Sequence, residues 1–102
     1  MTRVFVNRQL IDIGEPGSVV GSPLALAVNA ALRCWLYCEV WSDFGEIEIA
    51  DSRLDESIPL ATIPMHRSVR RWVETHERLG PSYCCERAFD LDIPRRLLRA
   101  SE

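Results

Sequence analysis

Apolar and polar residues alternate from Leu36 to Ser42, which puts Leu36, Cys38 and Val40 on one face of a strand and Tyr37, Glu39 and Trp41 on the other. Glu46 to Ala50 alternates in the same way, with Ile47 and Ile49 turned inward and Glu46 and Glu48 outward. Asp43-Phe44-Gly45 between them has the length of a hairpin connection, and Gly45 can take a positive φ there. On the N-terminal side the period changes. Leu24, Ala27, Val28, Ala31, Leu32 and Trp35 recur at helical spacing, and Ala25, Leu26 and Ala30 widen that stripe until most sides are apolar. Ser22 is a favoured N-cap and Pro23 a favoured first helical residue, so a helix is predicted from Pro23 to about Arg33.

A second helix is predicted to open at Thr62 or Ile63, then Pro64, and to run to Leu79. Val69, Trp72, Val73, His76 and Leu79 line one face of it. Arg67, Arg70, Arg71, Glu74 and Arg78 lie toward the other. Gly80 fits the position after a helix C-terminus, and Pro81 prevents continuation. Val4 to Asn7 reads as a short strand that restarts through Leu10 to Ile13, ahead of the turn-rich Gly14-Glu15-Pro16-Gly17-Ser18. Asp51 to Thr62 reads as a polar connection. Tyr83 to Ile93 includes a last strand, where Phe89, Leu91 and Ile93 alternate with Asp90 and Asp92, and Pro94 ends it. Arg95 to Glu102 is a short amphipathic tail of one or two helical turns. The order βαββαβ predicts an α+β fold: a small antiparallel or mixed sheet with two helices on one face. Trp35 and Trp72 are expected in its core, and its exposed sheet edges favour self-association.

At 102 residues the chain fits a single domain that buries roughly two thirds of its unfolded surface. The balance of 47% apolar and 26% charged residues argues against disorder. No apolar run approaches the ~20 residues of a membrane span. Met1-Thr2-Arg3-Val4-Phe5-Val6 lacks the apolar stretch and cleavage site of a signal peptide, so the expected compartment is the cytoplasm. A net charge of −3 argues against unspecific nucleic-acid binding. The charge is uneven, however. Acids gather at Glu39, Asp43, Glu46, Glu48, Asp51, Asp55 and Glu56, and bases at Arg67, Arg70 and Arg71 and again at Arg95, Arg96 and Arg99. All twelve positive charges are arginine, which suits bidentate contacts to phosphate.

Cys34, Cys38, Cys84 and Cys85 do not have the paired spacing of a zinc ribbon, and two of them are adjacent. They read as reduced thiols acting as small buried hydrophobes. No metal or other cofactor is expected.

Gly17-Ser18, then Ser22-Pro23-Leu24-Ala25-Leu26-Ala27 and the hairpin, resemble a family of small uncharacterised phage and prophage proteins. These carry a Cys-Pro-x-Ala-x-Ala helix start, a strand pair, a helix after an Ile-Pro or Leu-Pro step, and a closing Phe-x-x-x-Ile-Pro. Here the later parts are Ile63-Pro64, Val69 to Val73, and Phe89-Asp90-Leu91-Asp92-Ile93-Pro94. Ser22 stands where that family has Cys, so no thiol chemistry carries over to this point. The resemblance implies a phage accessory protein acting in the host cytoplasm, with no established activity. By analogy of class, some compact oligomeric phage proteins of this size are sponges for immune-signalling nucleotides.

Three constellations are candidates for binding. The Gly17-Ser18-Val19-Val20-Gly21-Ser22 loop leads into a helix N-terminus, where free N–H groups and the helix dipole favour an anion, although it has neither a Walker A nor a dinucleotide pattern. Its alternative is an ordinary capped helix after a turn. Arg67, Arg70 and Arg71, beside His66, project from one helix face and could clamp a phosphate or carboxylate. Their alternative is a solvated face paired with Glu74 and the acidic hairpin. Trp41 shares its strand face with Glu39 and Tyr37 and is the best placed aromatic for stacking on a ligand or partner. Nothing in the spacing joins His66 or His76 to Ser22, Cys84 or Cys85 as a catalytic set. The reading is of a homo-oligomeric, non-enzymatic protein that sequesters a small anionic, nucleotide-like ligand through Gly17, Ser18, Gly21, Ser22, Arg67, Arg70, Arg71 and Trp41. The alternative is an adaptor or inhibitor that binds a host enzyme through the acidic hairpin and Trp41.

Overall fold

In the computed structural model, which describes residues 1–54 and 58–99, the chain runs β1 (Thr2–Val6), α1 (Arg8–Ile13), α2 (Pro23–Ala31), β2 (Leu36–Trp41), β3 (Glu46–Asp51), β4 (Ala61–Pro64), α3 (Arg67–Leu79) and β5 (Arg87–Leu91). Short 3-10 turns follow at Pro81–Tyr83 and Arg95–Leu97. The α+β class is as the pattern predicts. The strands form two antiparallel sheets in place of one: β1 with β5, and β2-β3-β4.

The hairpin forms in the predicted register, with Val40 opposite Ile47 and Cys38 opposite Ile49. All four turn their side chains into the core. Gly45 closes the turn with φ at +68°. The outer edge of β2 is not open. The Cys38 N–H donates to Asn29 Oδ1 at 2.7 Å and the Val40 N–H to the Val19 carbonyl at 2.9 Å. These bonds blunt an edge that would otherwise template another strand.

Two elements differ from the sequence-based expectation. Leu10 to Ile13 is the second half of α1, not a restarted strand. Asn7 caps this helix by accepting from the Leu10 N–H at 2.9 Å. Arg8 then fastens it, donating to the Pro81 carbonyl at 2.7 Å and the Cys84 carbonyl at 2.8 Å. Six residues are too few to hold a helix by themselves, so these distant contacts decide. Ala61 to Pro64 is the edge strand β4, not the start of a helix. Ile63 points into the core opposite Ile47, and Pro64 is the strand's last residue. The following helix therefore begins only at Arg67, after His66.

One continuous core joins the two sheets. Val4, Val6, Phe89 and Leu91 of the β1–β5 ribbon meet Leu24 and Val28 of α2, the inner face of β2-β3-β4, and Val69, Trp72, Val73 and His76 of α3. Trp72 packs edge-on against Phe89, with ring centroids 5.4 Å apart. Trp35 is not in this core as expected. It lies beyond the end of α2, is 47% exposed, and carries the Arg53 guanidinium over its ring at 4.5 Å. Leu79 also differs, exposed at the last turn of α3. Asp55, Glu56 and residues 100–102 of the tail lie outside the described residues.

Only two of the cysteines are the buried hydrophobes predicted. Cys38 and Cys84 are buried, whereas Cys34 and Cys85 are exposed, and all four are free thiols. Burial pushes the Cys38 thiol up to about 12, with nearby Glu39 adding to the rise, and Cys38 Sγ donates to the Ala25 carbonyl. Burial also raises Cys84. Since the thiolate is the reactive form, iodoacetamide at neutral pH should label Cys34 and Cys85 and spare Cys38 and Cys84 until denaturant is added. Peptide mass mapping reads the outcome directly. Labelling of Cys38 in the native protein would contradict this packing.

Candidate functional site

The predicted binding residues separate into two places. The Gly17 to Ser22 loop is closed on itself. The Glu15 N–H donates to the Gly21 carbonyl at 2.8 Å, the Ser18 N–H to the Glu15 carbonyl at 3.2 Å, and the Gly21 N–H to Ser18 Oγ at 2.9 Å. Ser22 is buried, and its hydroxyl caps α2 by accepting from the Ala25 N–H at 3.3 Å. Ser22 and Pro23 then face Trp72, Val73 and His76 on the inner side of α3, across a space with no room for water. The N–H groups of Ser18 and Gly21 and the hydroxyl of Ser22 are thus engaged within the protein. Ser22→Ala should cost about 1 kcal/mol, the ordinary loss of a helix cap, and leave ligand binding unchanged. Chemical denaturation and titration of the same variant separate the two effects.

The arginine cluster is the place that remains open. It arises from simple helical geometry. Val69, Trp72, Val73 and His76 bury one face of α3, so the residues between them must face out. Arg67, Arg70, Arg71, Glu74, Thr75, Arg78 and Leu79 surround a hollow of about 510 Å³. All its walls come from this one helix, so it is a trough between long side chains and not a cleft between elements.

The four arginines of the trough are not alike. Arg70 leans away over the hairpin turn. Its Nη2 donates to the Asp43 carbonyl at 2.8 Å, and its Nε stands 3.4 Å from Glu74 Oε1. Gly45 makes that approach possible, because a Cβ there would meet Arg70 Nη1 at 3.1 Å. Arg70 is therefore an anchor between α3 and the hairpin. The guanidinium groups of Arg67, Arg71 and Arg78 have no ion pair or hydrogen bond among the described residues, although the Arg71 backbone carbonyl accepts from Thr75 Oγ1 at 2.9 Å. Arg67 and Arg71 stand four residues apart on the helix, a spacing at which like charges repel.

Trp41, the last residue of β2, is not among the residues that line the trough. It is half-buried and tilts against Phe44 with ring centroids 6.2 Å apart, and its buried Nε1 has no hydrogen-bond partner among the described residues. Ser42 Oγ donates to Glu77 Oε2 at 3.0 Å, a second tie between the turn and α3. Glu74 is the carboxylate that lines the trough, and its ion pair among the described residues is with Arg70. Glu39 lies opposite Glu48 on the outer face of the sheet, and Asp51 is held by Arg53, whose hydrogen bonds keep the carboxyl below its ordinary range.

His76 is sealed in the core, with Nε2 at 3.1 Å from the Ile11 carbonyl. Since a carbonyl only accepts, Nε2 carries the proton. His66 is exposed at the start of α3. Neither histidine has a hydrogen bond to a serine, cysteine or carboxylate among the described residues.

Sequence reasoning found the cluster but not its composition. Arg78 belongs to the trough, seven residues and so two turns from Arg71, a spacing that was open to view. Arg70 was grouped with the free arginines because its bond to the Asp43 carbonyl, 27 residues away, is tertiary. No described helix is long and apolar enough to cross a membrane, and no group of three or more metal-ligating side chains gathers among the described residues. No family model, curated protein or solved structure matches this chain.

Proposed function

We propose that this protein binds and sequesters a small anionic, nucleotide-like ligand on the outer face of α3, as a phage-type accessory protein that does not transform what it holds. One observation carries the reading: Arg67, Arg71 and Arg78 surround a trough with no carboxylate paired to any of them among the described residues, the Glu74 carboxylate there being paired with Arg70. Guanidinium groups left unpaired in this way offer charge-assisted, bidentate contacts to phosphate oxygens. A homo-oligomer fits the same reading, with the arginines of one copy completing the trough of another.

A thermal-shift panel of cyclic and linear nucleotides, with inorganic phosphate as reference, tests it. A ligand at a hundred times its Kd stabilises the folded state by about 2.7 kcal/mol, a clear rise in melting temperature. A folded protein that none of these compounds stabilises contradicts the reading.

The hairpin supports a second reading, as an adaptor or inhibitor of a host enzyme. Phe44 at its tip is 71% exposed beside half-buried Trp41, and an exposed aromatic is a common anchor in protein interfaces. Loss of a stoichiometric host partner on Phe44→Ala, with the nucleotide panel silent, would favour it.

A further inference from the structure

The charged surface of α3 continues past the trough. Arg71 and Thr75 also form a wall of a second space, about 290 Å³ in volume, between α3 and the segment that follows it. This one is a cleft, because its walls come from different elements. Ser68 and Arg71 stand on the helix side, and Tyr83, Cys85 and Arg87 stand opposite. Trp72 also lines it, and its Nε1 donates to the Cys85 carbonyl at 3.2 Å. That bond ties the connection to the helix and sets the separation of the two walls. Arg8 fixes the same connection from behind through the Pro81 and Cys84 carbonyls.

The chemistry across the cleft is asymmetric. The Arg71 guanidinium has no ion pair or hydrogen bond among the described residues, and the Arg87 guanidinium lies over the ring of Phe89 at 5.3 Å without an ion pair among them. Among the described residues, no carboxylate lines the cleft. Tyr83, which lines the same cleft as Arg87, is 68% exposed. Two cationic forks and an open aromatic face suit a ligand with a phosphate at one end and a flat ring at the other. The volume lies at the small end of ligand clefts, about 300 Å³, which matches a single nucleotide unit.

We infer that this cleft binds a nucleoside monophosphate unit, with the phosphate between Arg71 and Arg87 and the base stacked on Tyr83. The inference rests on the anion-binding reading above and locates the ligand more narrowly. A nucleotide with further phosphates extends across the shared Arg71 into the trough of Arg67 and Arg78. Stacking on tyrosine tolerates any base, so discrimination among bases at this cleft is weak.

The test uses the full chain, with calorimetric titration of AMP, adenosine and inorganic phosphate, and with iodoacetamide labelling of Cys85 measured against Cys34. AMP is expected to bind about tenfold or more tightly than either fragment. Arg87→Ala should weaken AMP about tenfold or more. Tyr83→Ala should remove the advantage of AMP over phosphate. Bound AMP should slow labelling of Cys85, which lines the cleft, and leave Cys34 unaffected. If Arg87→Ala lowers the melting temperature, Arg87→Gln keeps the stem over Phe89 and must show the same loss. AMP binding that survives Arg87→Ala and Tyr83→Ala, leaves Cys85 reactive and disappears in Arg67→Ala/Arg78→Ala overturns the cleft and keeps the trough. Absence of binding by both AMP and phosphate overturns the cleft, and the wider nucleotide panel then decides the anion-binding reading separately.

Discussion

Trp72→Ala should lower folding stability by about 3–5 kcal/mol, the usual cost of truncating a buried aromatic. The residue is 7% exposed and lies where three parts of the molecule meet. Its ring packs against Phe89 of β5 at 5.4 Å and stacks on His76 one turn along α3 at 6.4 Å, and its Nε1 holds the Cys85 carbonyl. Truncation opens a cavity between α3 and the β1–β5 ribbon and strands that carbonyl. Domains of this size have about 5–15 kcal/mol to lose, so the variant should unfold at markedly lower denaturant than the wild type. Trp72→Phe separates packing from hydrogen bonding. It keeps part of the ring contact and loses the bond to Cys85, worth about 1 kcal/mol, together with the volume of the second ring, so its cost should fall well below that of Trp72→Ala. Denaturant melts of both variants check the ranking. Equal and small losses would contradict the position of Trp72 in the core.

Arg71→Ala should do the opposite, with a large effect on binding and almost none on folding. Arg71 belongs to both the trough and the cleft, so any anion held on this side of α3 comes within its reach. Losing one charge-assisted hydrogen-bonding group costs about 1.5–3 kcal/mol, a weakening of roughly ten- to a hundredfold. Stability should stay within about 0.5 kcal/mol of the wild type, as for other exposed sites. A small gain is expected, because the repulsion between Arg67 and Arg71 is relieved by about 0.2–0.5 kcal/mol. Titration and melting of the same preparation check both halves. A large loss of stability would show that Arg71 has a structural partner.

The elements with a clean period were legible in the sequence. The β2–β3 hairpin and the faces of α2 and α3 follow from spacing alone, because one side of each meets the core and the other does not. Elements fixed by distant contacts were not. The strand-like run Leu10-Ile11-Asp12-Ile13 ends up helical because Asn7 caps it and Arg8 reaches Pro81 and Cys84, more than seventy residues away. Pro64 looks like a helix start, but Ile63 has a place in the core only as part of a strand beside Ile47.

The candidate site divides in the same way. Arg67, Arg71 and Arg78 could be placed together from helical spacing. That Arg71 also shares a cleft with Tyr83 and Arg87 could not be read, because it depends on how the chain returns after Gly80. That glycine has φ at +93° and turns the backbone so that the following residues run back along α3. The Gly17 to Ser22 loop shows the converse. Its composition suits an anion, yet in the folded loop the Ser18 N–H turns to the Glu15 carbonyl and the Gly21 N–H to the Ser18 hydroxyl.

The central claim is that the unpaired arginines on the outer face of α3 hold an anion. Calorimetric titration of wild type and Arg67→Ala/Arg71→Ala/Arg78→Ala with the best-binding nucleotide of the panel tests it most directly. The account predicts saturable binding to the wild type and none to the triple variant, which should melt no lower than its parent. Undiminished binding to the triple variant would contradict it.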